Sequence, residues 1–239
     1  MKFLLVSDCH LEFFEDKGKS FVQSLSTDQS DVIVIAGDFE TNDIAMLRLS
    51  EVCEKFREVI FVCGNHSYYG ANRGKVNATL KKVEQKYPNF HWLNCSSVIV
   101  DGQRFLGCTN WWETTAQTAF RKDMINDFRC IEAYSKWVGP TSQKHREYLE
   151  ANVLSTDVVV THYLPLWACV DDDFVGDPSN CFYVKDMSKL INDVQPKAWL
   201  HGHSHVAMDK MFGNTRVIRN PKGYPKQNPL WEPMLIEIK

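Results

Sequence analysis

The sequence predicts an α/β fold, and three observations carry that prediction. Short runs rich in Val, Ile, Leu and Phe recur at 2–6, 31–36, 58–63, 97–100, 104–108, 157–161, 197–200, 215–218 and 233–238. They are near-continuously apolar rather than alternating, which suits strands covered on both faces. Between the early runs lie 42–57 and 73–86, where apolar residues return at three- and four-residue spacing, the period of a helix with one buried face. Strand, helix and strand in succession imply α/β layers. The third observation is a hairpin signal: Val98 to Val100, then Asp101-Gly102, then Arg104 to Leu106. Asp-Gly supplies the positive φ angles that a two-residue turn requires, so the later strands are partly antiparallel.

Taken in order, the first run stops at Ser7-Asp8. It is too short for a signal peptide and reads as a first strand. The second and third runs end in Gly37-Asp38 and Gly64-Asn65-His66, each separated from the next by a helix-like stretch. From 111 to 140 the rhythm breaks into a polar, aromatic, helix-compatible stretch without a clear stripe, expected to be a cap-like insertion over the strand ends. Ala168 to Cys181 is irregular, with the turn-prone Asp171-Asp172-Asp173 and Gly176-Asp177-Pro178, and can border a pocket. The runs before and after it end in His162 and in His201-Gly202-His203-Ser204-His205. There is no internal repeat and no low-complexity segment.

The 239 residues suffice for one large domain with a sizeable core, and a single domain over 1–239 is expected. A net charge of -3 with no block of Lys or Arg leaves no electrostatic track for a polyphosphate strand, which disfavours nucleic acid as a partner. No apolar stretch reaches the roughly 18 to 20 residues that span a bilayer, so a cytoplasmic protein without membrane contact is expected. The eight cysteines show no CxxC spacing and read as reduced residues of a cytosolic core.

The strand ends carry the chemistry. Asp8-Cys9-His10 follows the first run, and alternate residues of an extended segment point the same way, so Asp8 and His10 can converge on one ion. Gly37 lets the backbone turn tightly before Asp38, although Asp38 taken alone reads more readily as an Asx turn or a helix cap. Asn65 offers a neutral carbonyl oxygen suited to a hard cation. A single histidine at a strand end is more often structural than ligating. Here several strand ends present ligand-type residues, and in open α/β sheets sites form beyond the carboxyl ends of the strands.

This ordered set, Asp-x-His, Gly-Asp, Gly-Asn-His, His and Gly-His-x-His, resembles the calcineurin-like metallophosphoesterase family over residues 8–205. Gly64 to Gly70, Asp123 to Phe128 and Thr215 to Tyr224 look like a bacterial and phage-type subgroup. The resemblance implies a four-layer α/β/β/α sandwich with mixed sheets. It implies that Asp8, His10 and His205 bind one metal, that Asn65, His162 and His203 bind the other, and that Asp38 bridges them. His66 is not a ligand in the pattern and is expected to be the general acid. Ser67 departs from it, standing where an acidic residue usually follows Gly-Asn-His; a hydroxyl supports its neighbours less well than a carboxylate.

Two cations sharing Asp38 and a water would lower that water's pKa and generate a nucleophilic hydroxide. Mixed N and O ligation fits Mn(II), Fe or Zn better than an all-oxygen Mg site; Mn(II) is the expected choice for the two divalent ions, with Fe, Zn, Ni or Mg as other choices. The expected substrate is a small-molecule or nucleotide phosphomonoester or phosphodiester, since Phe39-Glu40-Thr41 after Gly-Asp lacks the Asp-Arg-Gly continuation of the protein phosphatases. Substrate contacts are expected from Asn65 and from the insertion: Arg121 and Asn126 foremost, with Trp111, Trp112, Lys122 and Arg129 nearby. Two rival readings are a metal-dependent nuclease, which needs a basic track, and a non-catalytic scaffold, which would be expected to have lost ligands.

Overall fold

A computed structural model describes residues 1–238. In its first half lie β1 (Lys2–Val6), α1 (Lys19–Ser24), β2 (Val32–Ala36), α2 (Asn42–Lys55), β3 (Glu58–Val62), α3 (Arg73–Lys86), β4 (Phe90–Trp92), β5 (Ser96–Val100) and β6 (Gln103–Gly107). The second half adds α4 (Ala116–Ala119), α5 (Asp127–Cys130), α6 (Tyr134–Asn152), β7 (Val158–Val160), α7 (Ser188–Val194), β8 (Ala198–His201), β9 (Met208–Phe212), β10 (Thr215–Arg219) and β11 (Met234–Glu237). The strands form two sheets, ordered β11-β1-β2-β3-β4 and β5-β6-β7-β8-β10-β9. β1 to β4 run parallel, with β11 antiparallel at the edge. In the other sheet β6, β7, β8 and β10 run parallel, flanked by antiparallel β5 and β9.

The continuous apolar runs are explained by what covers each face. Phe3, Leu5, Val32, Val34, Ile60 and Val62 of one sheet meet Phe105, Val158, Val160, Leu200 and Ile218 of the other in a shared core. The intervening residues Leu4, Ile33, Ile35 and Phe61 pack under α2 and α3 through Leu49, Val52, Leu80 and Val83. On the opposite side Val159, Trp199 and Val217 pack against Leu149, Leu190 and Ile191. Helix, sheet, sheet, helix is the layering implied by the resemblance. An alternating polar position inside either sheet would bury an unpaired group at a cost of several kcal/mol.

Four elements, β4, β9, α1 and α7, were not anticipated from the sequence. β4 is three residues long with His91 between its two apolar residues, and β9 is an edge strand with Asp209, Lys210 and Met211 exposed. The six residues of α1 offer only Phe21 and Val22 to the core. The stretch 111–140 does contain short helices, but α6 begins inside it at Tyr134 and runs through Pro140. Its buried stripe is Tyr134, Trp137, Val138, Ser142, His145 and Leu149, and the two polar members hid the helical period.

Candidate metal centre

Parallel strands all point the same way, so β1, β2 and β3 deliver their carboxyl ends to one edge, and β7 and β8 bring theirs from the facing sheet. Asp8, His10, Asp38, Asn65, His66 and His162 are all buried there. Asp8 and His10 do not converge by extended alternation: their φ angles are 49° and 47°, and Asp38 at 46° and His203 at 70° share this left-handed conformation. Left-handed backbone is costly for residues with a Cβ and concentrates at functional sites. It lets the chain turn sharply off each strand and aim a side chain back over the sheet edge. The glycines beside these residues make room. A Cβ on Gly37, itself at φ +87, would stand 2.2 Å from His162 Nδ1, and one on Gly202 would stand 2.6 Å from Asp8 Oδ2.

Three overlapping groups result: Asp8 with His10 and His205, Asp38 with His162 and His203, and His10 with Asp38 and His66 between them, the donor atoms in each lying within 4.8 Å of one another. Within the first, His10 Nε2 and His205 Nε2 are 3.1 Å apart. Asp38 Oδ2 lies 3.3 Å from His162 Nε2 and 4.0 Å from His10 Nε2, so it faces the first group as well as its own. Asn65 Oδ1 is 3.1 Å from His162 Nε2. The neighbours fix how these donors face. His162 Nδ1 reaches the Ala36 carbonyl at 3.1 Å, His205 Nδ1 reaches Gln227 Oε1 at 2.8 Å and His10 Nδ1 reaches Glu12 Oε1 at 3.3 Å. With protons on Nδ1, three imidazoles turn Nε2 lone pairs inward, the arrangement metal-bound histidines adopt. Main-chain N–H groups of His203 and His66 hold one oxygen each of Asp8 and Asp38, both at 2.8 Å. Asp8 Oδ2 is buried without a hydrogen-bond partner. A buried carboxylate oxygen and inward nitrogens of this kind fit divalent cations.

The electrostatics agree. Burial opposes charge on His162, yet Asp38 outweighs it and raises the His162 pKa to about 9. Asp38 is held well below the ordinary carboxylate range although burial works against it, because His162, His66 and His10 surround it. Burial, followed by His162, pushes His203 well down as a base. The negative potential that favours a proton on His162 favours a metal cation equally.

A family model described as calcineurin-like phosphoesterase matches residues 1–207. The chain belongs to that family. A mimivirus protein, uncharacterized protein L509 of Acanthamoeba polyphaga mimivirus, is 24% identical over 262 residues, covering 95% of this chain and 93% of that one. Among solved structures, phosphopantetheinyl hydrolase from Mycobacterium tuberculosis superposes with a TM-score of 0.79 at 16% identity, over 98% of this chain and 95% of its own. A dimetal phosphatase from Danio rerio gives 0.53 at 14% identity, over 92% and 86%. At such identities these two likenesses speak for the fold.

Around the metal groups of this phosphoesterase stand supports that the sequence did not disclose. Glu12 Oε1 accepts from His66 Nδ1 at 2.7 Å and from His10, so one carboxylate orients both rings. Burial and then Asp38 and Glu12 act on His66 in opposite senses, and the carboxylates prevail, raising its pKa. Ser67 Oγ is buried without a partner. Asp127 Oδ1 accepts from Asn65 Nδ2 and from Tyr69 OH, both at 2.9 Å, while its Oδ2 accepts from Tyr134 and Tyr163. Asn65 is thereby turned with its oxygen toward His162. Only the quoted stretch Asp123 to Phe128 hinted at Asp127, and only proximity to His10 pointed at Glu12.

The expected substrate contacts separate. Asn126 lines the phosphoesterase cavity with Asn65 and His66, whereas Arg121 lines an adjoining pocket and donates from Nη1 to the Pro178 carbonyl at 3.1 Å. Trp111 and Trp112 are 0% and 2% exposed and pack in the core with Tyr134 and Phe182. Lys122 lies over Phe128, and Arg129 donates to Asn126 Oδ1 at 2.6 Å.

Proposed function

We propose that this phosphoesterase hydrolyses a small-molecule or nucleotide phosphate ester, with Asp8, His10 and His205 holding one divalent cation, Asn65, His162 and His203 the other, and Asp38 shared. The observation that carries the reading is the position of Asp38 Oδ2, 3.3 Å from His162 Nε2 and 4.0 Å from His10 Nε2, where it faces both nitrogen-rich groups. When bound, the pair of cations would neutralise phosphoryl oxygens and make a water acidic enough to attack near neutral pH. The chain supplies the rest. His66 donates a hydrogen bond from Nδ1 to Glu12, which leaves Nε2 to carry the proton that the leaving oxygen takes. Burial opposes the charged ring, but Asp38 and Glu12 outweigh it and raise its pKa. Stacking on Tyr69, with centroids 4.1 Å apart, fixes the plane of the ring.

The mixed N and O donors fit Mn(II), Fe or Zn, and Mn(II) is the ion proposed. The eight cysteines are all unpaired, which fits work in a reducing cytoplasm. The test is hydrolysis of a chromogenic aryl phosphate and a bis-aryl phosphate with Mn(II), Ni(II), Zn(II) or Mg(II). Metal-dependent turnover should vanish in Asp38→Asn, and normal turnover by that variant would sink the proposal.

A further inference from the structure

The cavity over the metal groups encloses about 480 Å³, room for an organic group well beyond the phosphate itself. Among the described residues no lysine or arginine lines it. Its wall carboxylates are already engaged. Asp171 pairs with Arg219 and accepts from Ser204, Asp177 accepts from the Ser179 amide at 2.7 Å, and Asp127 turns inward to Asn65. Four of its apolar side chains, by contrast, are uncovered: Phe13 is 52% exposed, Met124 42%, Phe174 55% and Val206 53%. Tyr224, 43% exposed, places its ring 4.7 Å from His10 and 5.3 Å from Phe13. An aromatic shelf thus begins at the metal groups themselves.

These walls constrain the substrate. The cations would answer one phosphoryl group, and nothing on the walls answers another. Asp171 is already matched by Arg219, so a second phosphate would face Asp177 with no lysine or arginine on the walls to offset it, and like charges brought together are a common means of rejecting a wrong partner. An uncharged arm would instead cover exposed rings and find the neutral hydrogen-bonding groups of Asn126 and Asn180. We infer that the substrate carries a single phosphoryl group on an uncharged, largely apolar or aromatic organic arm, and that Phe13, Tyr224 and Phe174 select it. This inference rests on the phosphoesterase reading and names the substrate class for it.

The test compares two p-nitrophenyl phosphodiesters with the Mn(II)-loaded protein: one with a plain phenyl second arm, the other with a phosphate added to that arm. The expected kcat/KM favours the plain arm by about tenfold or more, in line with like-charge discrimination. Phe174→Lys should narrow that ratio severalfold, while Phe13→Ala should raise KM for the plain arm more than it lowers kcat. Calorimetry with the corresponding non-hydrolysable phosphonates should show the same preference in binding. Turnover of both esters with equal or reversed preference overturns the inference and leaves the phosphoesterase reading standing. Binding preference for the plain arm without turnover of either ester, or of p-nitrophenyl phosphate, overturns the phosphoesterase reading and with it the inference about its substrate. Neither turnover nor preference overturns both.

Discussion

Ser67 brings no carboxylate to His66; Glu12 does, from 54 residues earlier in the chain. The 2.7 Å contact holds the His66 tautomer with its proton on Nδ1, and the same oxygen steadies His10. Glu12→Gln keeps the shape and removes the charge. It is expected to lower kcat roughly tenfold to hundredfold, within the range for supporting groups and general acids. The loss should be greatest for alkyl leaving groups, which need the proton, and smallest for p-nitrophenolate. Equal losses across leaving groups would remove His66 as the donor. Asp127 has the matching task at Asn65, whose amide it turns so that the oxygen faces His162. Asp127→Asn should weaken the affinity for one of the two metals about tenfold to hundredfold, read by calorimetric titration of the metal-free protein. Unchanged affinity at both sites would count against the assignment. The first-rank ligands were legible because each sits immediately after an apolar run. Their supports were not, because Glu12 and Asp127 stand in irregular segments and acquire meaning only by contact.

At the scale of elements, the turn after each strand decides the site. Gly37 is needed twice over, for its positive φ and for the 2.2 Å that a Cβ would leave to His162. The docking of α6 depends on a different histidine. His145 is buried in that helix and accepts from the Asn110 amide at 3.1 Å, which ties the helix to the segment leaving β6. Burial, followed by Lys144 and Lys185, lowers its pKa to about 3 from an ordinary 6.5. The unfolded chain therefore takes up a proton at a pH where the folded one does not. The stabilisation from His145 is complete above pH 6.5 and is lost as pH falls toward 3. By the linkage relation this amounts to about 5 kcal/mol at most across that window. His145→Asn should flatten the acid limb of a denaturant-derived stability curve, at a cost of about 1–3 kcal/mol at neutral pH for the lost bond. An acid limb identical to that of the parent would refute this account. Period alone found α2 and α3, but Ser142 and His145 on the buried face of α6 masked the longest helix.

At the scale of the whole molecule, the centre is a seam between two sheets. One sheet contributes Asp8, His10, Asp38 and Asn65, and the other His162, His203 and His205, so bound metal would cross-link the halves of the sandwich. Binding that favours the folded state stabilises it by mass action, about 2.7 kcal/mol at a hundredfold excess over Kd. Chelation should therefore lower Tm in thermal unfolding followed by far-UV circular dichroism, and Mn(II) should restore it. A Tm indifferent to chelator and metal would show that the groups do not hold ions. The sequence by itself determined the α/β class and singled out the candidate donors at the strand ends, because buried strands need apolar residues and polar residues directly after them are conspicuous. It could not determine which distant segments meet. The pairing of Glu12 with His66, the left-handed turns at Asp8 and His10, the burial of Trp111 and Trp112 and the uncharged walls of the cavity all depend on packing between elements. Packing is a property of three-dimensional neighbours, and only the folded chain specifies them.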